Sequence, residues 1–546
     1  MRRRRAFRRG MLGRLTRSRI AWTVGLIGSA LVAATFHPGT ETTESVVLAE
    51  DLAADGPYDD ATKKKPAEKK LIDPIERNGP IFVDWPRPQA ALLISGEQLG
   101  YLEPCGCAGL DNQKGGLQRR HTLVKQLGDR GWPLALVDLG GQVRRYGPQA
   151  VIKFRTAIGA LSEIGYHAVG FGPQDLRLPT DELVGVAVNL PDGRSLYVSA
   201  NVGLFSLDSG FVEPTRVVTV GGRRIGITCV LGAAEKAKIN NQDLEITDPA
   251  EALRKVVPAL DEKSDVMILL SHADPRESRK LARQFPEFDI IVTAGGADEP
   301  PNMPEKINAG ETLLVEVGHK GMYVAVIGLY DDKETPWRYQ RVPLDHRFDD
   351  SAEMQQMMVR YQKELETIGF DSLGLAGSPH PSGRSFVGSA ACGECHTEAA
   401  AVFKKTPHAH ATATLVKLDP PRQFDPECLS CHATGWEPQK YFPFKSGFRG
   451  METTAHLRAN GCENCHGPGS RHVAAEEGDT DVDDEGLERR RNAMRIRLVE
   501  GEAEGKLPDG VVGRVSTMCM QCHDMDNSPD FDFAKYWPDV RHIGKE

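Results

Sequence analysis

Hydrophobic and polar positions form alternating blocks along residues 90–315, in the order expected of strands followed by helices. Short apolar runs predict buried strands, and residues 116–127 and 150–165 place apolar side chains at helical spacing. Strand-then-helix repetition predicts an α/β fold with a largely parallel sheet covered on both faces. The predicted strands cover residues 90–94, 134–137, 168–171, 196–199, 225–230, 266–270, 290–292 and 313–315.

The pattern changes after residue 345. Apolar residues at helical spacing over 350–370, followed by the glycine-containing stretch 374–383, predict a connecting helix and hinge across 346–383. We interpret Met354, Met357 and Met358 as packing residues of that helix rather than as iron ligands. Beyond residue 384 there is little regular periodicity, so a core there has to come from something other than apolar side chains.

That C-terminal region instead carries the pattern Cys-x-x-Cys-His four times. In this pattern two thiols attach to the vinyl groups of a porphyrin, and the adjacent histidine binds iron as the proximal ligand. Two zinc sites of four cysteines each are the alternative, but a histidine directly after every copy favours four covalently bound haem c groups. The residues are Cys392, Cys395 and His396; Cys428, Cys431 and His432; Cys462, Cys465 and His466; Cys519, Cys522 and His523.

Further histidines are available as distal ligands of these haems. Ten of the 16 histidines lie between residues 380 and 542, and six of them are not proximal: His380, His408, His410, His456, His472 and His542. A haem with two imidazole ligands is closed to other molecules, whereas one with a vacant position can bind a small ligand. The assignment of the second ligand therefore separates an electron carrier from a redox enzyme.

The N-terminus predicts export. Nine arginines and no acidic residue precede an uncharged apolar run over 20–36, which is typical of a signal peptide or an N-terminal membrane anchor over 1–36. Residues 37–87 are predicted to form a polar linker. Because haem c is attached outside the cytoplasm, we expect a periplasmic or extracytoplasmic protein, tethered to the inner membrane if the leader is retained. The net charge of −9, more negative still without the basic leader, argues against nucleic acid as a partner.

Several blocks of the first half resemble 5′-nucleotidases and related metallophosphoesterases. Residues 100–104, 115–120, 136–140, 165–172, 271–272 and 318–323 occur in the order found in that family, and the resemblance covers 88–345. It implies a metallophosphoesterase-like α/β domain.

The metal-ligand positions of that family are mostly lost here. The positions that would carry ligands read Glu97 and Leu99, Gly141, Pro173 and Gln174, and Gly296 and Asp298; only His272 is unchanged. Two-metal hydrolysis requires both ions close together. The resemblance therefore implies a non-catalytic scaffold for binding or docking. A metal-dependent phosphoesterase fused to a haem module is kept as the second alternative.

Three other features of the sequence carry hypotheses. Cys105 and Cys107 are two positions apart, which disfavours a disulfide between them because the small ring would be strained. They are interpreted as a soft-metal site with His121 as a candidate third ligand, as a loop retained for structure, or as thiols oxidised to other partners. Cys229 lies within an apolar run and is predicted to be a buried packing residue. The charged stretch 476–505 is either a solvated helical insertion or a docking surface for a basic redox partner.

The C-terminal region resembles the tetrahaem cytochrome c-554 family, on residues 386–392, 406–411, 461–472, 527–533 and 536–542. The resemblance covers 384–546 and implies a mainly α, haem-cored domain. It further implies His408, His472 and His542 as distal ligands, with one haem that can lack such a ligand. Which haem each distal histidine serves does not follow from the sequence.

These observations together predict an exported tetrahaem c-type cytochrome that transfers electrons between other redox proteins. The first alternative is a redox enzyme that acts on a small nitrogen compound at a five-coordinate haem.

Overall fold

The strands of the first half of the chain form two mixed sheets. The computed structural model describes residues 72–105, 109, 111–189, 195–508 and 511–545. The predicted leader (1–36) and the linker up to residue 71 lie outside these ranges. The larger strands are β1 (Ala90–Ser95), β4 (Leu134–Asp138), β5 (Ala168–Val169), β7 (Arg216–Val220), β8 (Arg223–Leu231), β10 (Val266–His272), β11 (Ile290–Thr293), β12 (Glu305–Ile307), β13 (Thr312–Glu316), β14 (Tyr323–Leu329) and β15 (Trp337–Pro343).

The remaining strands are short pairs. They are β2 (Pro104–Cys105) with β3 (Lys114–Gly115), β6 (Val202–Leu204) with β9 (Leu244–Ile246), and β16 (Trp436–Glu437) with β17 (Phe442–Pro443).

The first sheet has the order β15-β14-β1-β4-β5 and the second the order β12-β13-β11-β10-β8-β7. Strands β1, β4 and β5 are parallel, and so are β8, β10, β11 and β13. Strands β14 and β15 run antiparallel on one side of the first sheet, and β7 and β12 form antiparallel edges of the second.

The two sheets pack against each other, so the prediction of a single, largely parallel sheet is wrong: each sheet is covered on one face by the other sheet. Leu92, Ile94 and Val137 of the first sheet share a buried cluster with Ile227 and Ile268 of the second. Helices cover only the outer face of each sheet. The cause of the error is physical: a strand buried on both faces reads as one apolar run whether a helix or a second sheet covers it.

The predicted strand over 196–199 is also absent as a strand: Tyr197 and Val198 make only isolated bridges to Val169 and Glu213.

The helices of this α/β region are α1 (Pro74–Asn78), α2 (Leu117–Asp129), α3 (Pro148–Ile164), α4 (Thr180–Val188), α5 (Ala233–Lys236), α6 (Pro249–Lys263), α7 (Pro275–Gln284) and α8 (Ala352–Ser372). Asp248 and Asp274 cap α6 and α7 by accepting backbone N–H bonds, with proline at the first helical position of each.

Helix α8 belongs to the outer layer of the α/β region. It packs on α2 and α3, and it buries Met354, Met357 and Met358 in the same apolar cluster as those helices. The three methionines are thus core residues, as the sequence indicates. The helix kinks at Gly369, whose φ is 70°, and irregular chain follows up to residue 388.

The haem-motif region (residues 384–545) consists of short helices. They are α9 (Ser389–Cys395), α10 (Thr397–Phe403), α11 (Ala411–Val416), α12 (Pro426–His432), α13 (Met451–Thr454), α14 (Cys462–His466), α15 (Ser470–Glu476), α16 (Asp484–Asn492), α17 (Arg514–Cys519) and α18 (Phe533–Val540). Phe386, Trp436 and Phe448 belong to a small cluster of buried apolar side chains in this region. Apolar packing thus contributes to its core, contrary to the expectation from the sequence. Within the described residues no helix is both long and apolar enough to cross a membrane.

The two regions form a single unit. Residues 70–546 group together as one compact body, and ion pairs described below join the α/β region to the haem-motif region.

Candidate haem sites and the cleft of the α/β region

The Cys-x-x-Cys-His motifs lie on or directly after short helices. The first begins in α9, the second and third end α12 and α14, and the fourth begins at the last residue of α17. One helical turn places residues three apart on the same face. In the first three motifs this geometry places both cysteines on one face of a helix, whereas in the fourth Cys522 follows the end of α17.

Three of the four proximal histidines face a second histidine ring. The ring centroids lie 6.2 Å apart for His396 and His472, 6.0 Å for His408 and His523, and 5.7 Å for His466 and His542. An imidazole nitrogen binds a transition metal at about 2 Å, so two imidazoles on opposite sides of one iron have centroids about 6 Å apart. The spacing therefore fits a bis-histidine haem in each pair.

Hydrogen bonds also orient the rings. Nδ1 lies 2.8 Å from the Met494 carbonyl in His466, 3.0 Å from the Val540 carbonyl in His542, and 3.1 Å from the Ser528 hydroxyl in His523. A proton on Nδ1 that is donated to a carbonyl leaves the Nε2 lone pair free for a metal.

His432 differs from the other three proximal histidines. Its Nδ1 lies 2.9 Å from the Ala411 carbonyl, which fixes the ring in the same way. Among the described residues, none of the three facing pairs includes His432, although His408 lies near enough for the two charges to interact.

The four motifs are direct neighbours. Cys392 and Cys462 lie close enough for their thiols to affect each other's pKa, and so do Cys431 and Cys522. Cys465 and Cys519 lie within electrostatic range of each other. The spatial order is thus first, third, fourth, second.

The structure places the remaining histidines away from these pairs. His410 and His456 are exposed, and the His380 ring packs edge-on against Phe444. His408, His472 and His542, which the resemblance to cytochrome c-554 implies as distal ligands, are the histidines that face proximal ones. Their assignment as iron ligands stays a prediction. The structure adds which proximal histidine each of them faces.

Glu463, inside the third motif, was not predicted from the sequence. Its buried carboxylate accepts backbone N–H bonds from Gly388 at 2.7 Å, Gly469 at 2.7 Å and Val387 at 3.0 Å. Burial raises the pKa of this carboxyl, although the backbone bonds oppose the shift. It joins the segments that precede the first motif and follow the third.

In the α/β region, four charged or titratable side chains at the sheet ends pair with one another. The Glu97 carboxylate lies 3.2 Å from His272 Nε2 and 3.7 Å from His319 Nε2, and His319 Nδ1 lies 2.5 Å from Asp298. Burial opposes a charge on His272, but the hydrogen bond to Glu97 raises its pKa overall. The described residues contain no group of three or more metal-ligating side chains arranged around an ion.

Gly141 stands where the phosphoesterase family has a ligating aspartate, and the backbone there disfavours one. Its φ is 80°, and a Cβ atom would lie 2.7 Å from Glu97 Oε1. The adjacent N–H groups of Gly141 and Gln142 donate to the buried Asp175 carboxylate, each at 2.8 Å. Burial raises the pKa of Asp175 to about 6.

The hypothesis of a soft-metal site at Cys105 is wrong, because Cys105 is disulfide-bonded and offers no thiolate. Cys107 lies outside the described residues. His121 instead contacts the Ser351 hydroxyl at 2.9 Å. Cys229 is buried, and burial raises its pKa to about 12, as expected of a packing cysteine.

The ion pairs between the two regions were also not predicted. Glu427, the residue before Cys428, receives Lys153 at 2.6 Å and Arg145 at 3.6 Å. Asp526, three residues after His523, receives Lys320 at 2.5 Å and Arg144 at 3.4 Å. The one indication of these ion pairs in the sequence is that both acidic residues lie close to haem motifs. The pairs could not be predicted from it, because the basic partners lie hundreds of residues away in the chain.

Comparison with known proteins agrees with the division into two regions. Residues 391–467 match the family model described as "Cytochrome c554 and c-prime". The C-terminal region is similar to cytochrome c554. Cytochrome c-554 of Nitrosomonas europaea is 34% identical over 97 residues, which are 15% of this chain and 39% of that protein.

The α/β region is similar to 5′-nucleotidases and apyrases. Apyrase of Aedes aegypti is 26% identical over 192 residues (31% of this chain, 34% of the apyrase). Snake venom 5′-nucleotidase of Gloydius brevicauda is 25% identical over 239 residues (41% of this chain, 39% of that protein).

The chain thus spans between a third and two fifths of the length of each of these relatives. Among solved structures, the 5′-nucleotidase precursor of Thermus thermophilus aligns with a TM-score of 0.44 at 20% identity, covering 51% of this chain and 59% of that one.

Proposed function

We propose that this protein is an exported tetrahaem c-type cytochrome that transfers electrons between redox partners. The observation that carries the proposal is the set of three facing histidine pairs, each with a ring spacing that fits one bis-histidine haem. Each pair contains the histidine of one Cys-x-x-Cys-His motif. The similarity to cytochrome c554 supports electron transfer as the class of function.

The residues of the chain would hold the groups and tune them. Haem c, when bound, supplies reversible one-electron transfer at iron. The cysteines would anchor each ring covalently, the histidine pairs would close both axial positions, and the carbonyl partners of Nδ1 would orient the imidazoles. Contacts between neighbouring motifs would keep the four haems close enough for electrons to pass from one to the next.

Export and localisation belong to the same proposal. The basic leader and apolar run over 1–36, together with the extracytoplasmic attachment of haem c, support a periplasmic protein, anchored in the inner membrane if the leader stays in place.

The α/β region serves, in this proposal, as a non-catalytic module for binding or docking. Its support is the loss of ligand side chains at the former metal positions and the internal pairing of Glu97 with His272. Purified protein supplied with manganese or zinc should not hydrolyse nucleoside phosphates above the background rate. Metal-dependent hydrolysis that disappears in a His272→Ala variant would restore the phosphoesterase alternative.

The haem count and ligation are tested directly on purified protein. A pyridine haemochrome assay and the intact mass should give four haems per chain, and the EPR spectrum of the ferric protein should contain three bis-histidine low-spin signals. Fewer than three low-spin signals would contradict the proposed histidine pairs.

A second candidate function rests on His432. Because none of the three facing pairs includes His432, its haem is proposed to keep a vacant position, which would suit a redox reaction on a small nitrogen compound. Nitric oxide or carbon monoxide added to reduced protein should then bind one haem in four. A wholly low-spin ferric spectrum with no gas binding would leave a pure electron carrier.

A further inference from the structure

Cations of the α/β region reach the haem motifs at two places, and the first lies beside the second motif. Glu427 directly precedes Cys428, and its carboxylate lies 2.6 Å from Lys153 Nζ and 3.6 Å from the Arg145 guanidinium. The Lys153 side chain is 13% exposed. Burial opposes ionisation of Glu427, but Lys153 lowers the pKa of this carboxyl overall. Both partners of the pair are therefore charged at neutral pH.

The second place lies beside the fourth motif. Asp526 follows His523 by three residues, and its carboxylate lies 2.5 Å from Lys320 Nζ and 3.4 Å from the Arg144 guanidinium. The Tyr101 hydroxyl donates a further hydrogen bond to it at 2.5 Å. Burial again opposes ionisation, but the bonds from Lys320 and Tyr101 lower the pKa of Asp526 overall. Each place thus holds one carboxylate of the haem-motif region and two cations of the α/β region.

The Cys428 thiol shows that such charges act at the point where a haem would be attached. Burial raises the pKa of this thiol well above its usual range, neighbouring carboxylates that include Glu427 raise it further, and Lys153 lowers it. Charges in a partly buried position are screened by salt much less than exposed ones. A group attached at Cys428 would therefore experience the charge of Lys153 as well.

The first and third motifs have no counterpart of these ion pairs. Within the described residues, no side chain of the α/β region forms an ion pair with a residue that lies within three positions of either motif. The carboxylate of Glu463, inside the third motif, is bound by backbone N–H groups instead. Since the motifs follow one another in space as first, third, fourth and second, the cations of the α/β region lie at one end of the row.

We propose that the α/β region raises the redox potentials of the second and fourth haems through these cations, chiefly Lys153 and Lys320. The inference rests on the proposed function, electron transfer by four haems. Reduction adds one negative charge at iron, so a nearby cation favours the reduced state. Electrons shared among the four haems would then be drawn toward the second and fourth motifs. The transfer balances within the chain, because one iron is oxidised for each one that is reduced.

The four midpoint potentials of the haem-loaded protein test this proposal, in a redox titration followed by EPR and optical spectra. Lys153→Met should lower one of the four potentials, and Lys320→Met should lower a different one. The remaining two potentials should change least in both variants. Lys125→Met is the matched control, because Lys125 forms an ion pair of 2.8 Å with Glu353 between helices α2 and α8. It should leave all four potentials at their wild-type values.

Two further variants separate the effect of charge from the effect of a lost contact. Glu427→Gln should raise the same potential that Lys153→Met lowers, whereas Lys153→Arg keeps the charge and should retain the wild-type value. A merely structural contact predicts shifts of the same direction in Lys153→Met and Glu427→Gln, and that result would overturn the proposal. If Lys153→Met does not fold with its haems, Glu427→Gln and Asp526→Asn carry the test, since each should raise one potential.

The outcomes distinguish this inference from the proposed function. A wild-type protein with fewer than four haems, or one that does not take up electrons reversibly, would refute electron transfer by four haems and the inference with it. If four reversible one-electron steps are present but removal of Lys153 or Lys320 changes no potential, or changes all four alike, only the role of the α/β region is refuted.

Discussion

The α/β region and the haem-motif region differ in how much apolar side-chain packing forms their cores. The first buries three large apolar clusters between and outside its sheets. The second, residues 384–545, has a single cluster with eight buried side chains, and its helices are mostly one or two turns long. Isolated helices of that length are marginal in water. We therefore expect that the α/β region is stable through its own side chains, and, if the proposed haems are bound, that the haem-motif region depends on them.

Preventing haem attachment should have the largest effect and would test this contrast most severely. With all eight motif cysteines replaced by serine, region 384–545 should lose its structure while the α/β region stays folded. Limited proteolysis with mass spectrometry should return an intact fragment that ends near residue 372. A C-terminal region that resists protease without haem would contradict the comparison.

Removal of one distal ligand should have the next largest effect. His542→Ala should convert the haem of His466 from low-spin to high-spin, open it to carbon monoxide, and raise its potential by roughly 100 mV, since axial ligands set haem potentials over a wide range. EPR and a spectroelectrochemical titration measure both changes. His410→Ala, at an exposed histidine outside the three pairs, should behave as wild type, and a low-spin spectrum in His542→Ala would refute the pairing.

Glu463 tests the same difference between the regions, because its buried carboxylate holds two segments of the haem-motif region together by hydrogen bonds rather than by apolar packing. Glu463→Gln leaves one oxygen and a donor group facing three backbone N–H groups, so we expect a loss of about 1–3 kcal/mol in the free energy of unfolding of the C-terminal region. Denaturant titration followed at the haem absorption band measures this loss. The exposed Glu394 of the first motif provides the control, because Glu394→Gln should leave the unfolding midpoint unchanged.

The smallest expected effect lies in the α/β region and is a dependence on pH. Despite the opposing effect of burial, Glu97 raises the pKa of His272 above its usual 6.5. A raised pKa of the folded state stabilises the fold below about pH 6.5, and this contribution is lost as the pH rises through the raised value. We expect a change of roughly 1 kcal/mol in urea unfolding of the wild type. Glu97→Gln should reduce the dependence of the unfolding free energy on pH. An unchanged dependence would show that the Glu97–His272 pair does not bind the proton responsible for it.

Local sequence predicted the elements of the α/β region but not their arrangement. The runs at 90–94, 134–137, 266–270 and 290–292 all became strands, because short runs of consecutive apolar residues between polar turns are already a strong local signal. The packing of two sheets was not predicted, because the residues of a buried strand do not show whether a helix or a second sheet covers it.

The candidate site shows the same division. The motif histidines and the three proposed distal histidines were identified from the sequence and from the resemblance it carries. The partner of each distal histidine was not, because His408 faces His523, which follows it by 115 positions, past two intervening motifs. The disulfide state of Cys105 and the contacts of Glu427 and Asp526 likewise depend on the folded arrangement of the chain.

The haem chemistry proposed for this protein could be predicted from local sequence, because the attachment motif spans only five consecutive residues and each replaced metal ligand is a single substitution relative to the phosphoesterase pattern. The facing of His408 with His523 and the ion pairs between the two regions could be recognised only in the folded structure. Those properties come from side chains brought together across hundreds of positions, such as Lys153 with Glu427 and Lys320 with Asp526. Spatial proximity of that kind is created by folding and is not encoded in any local pattern.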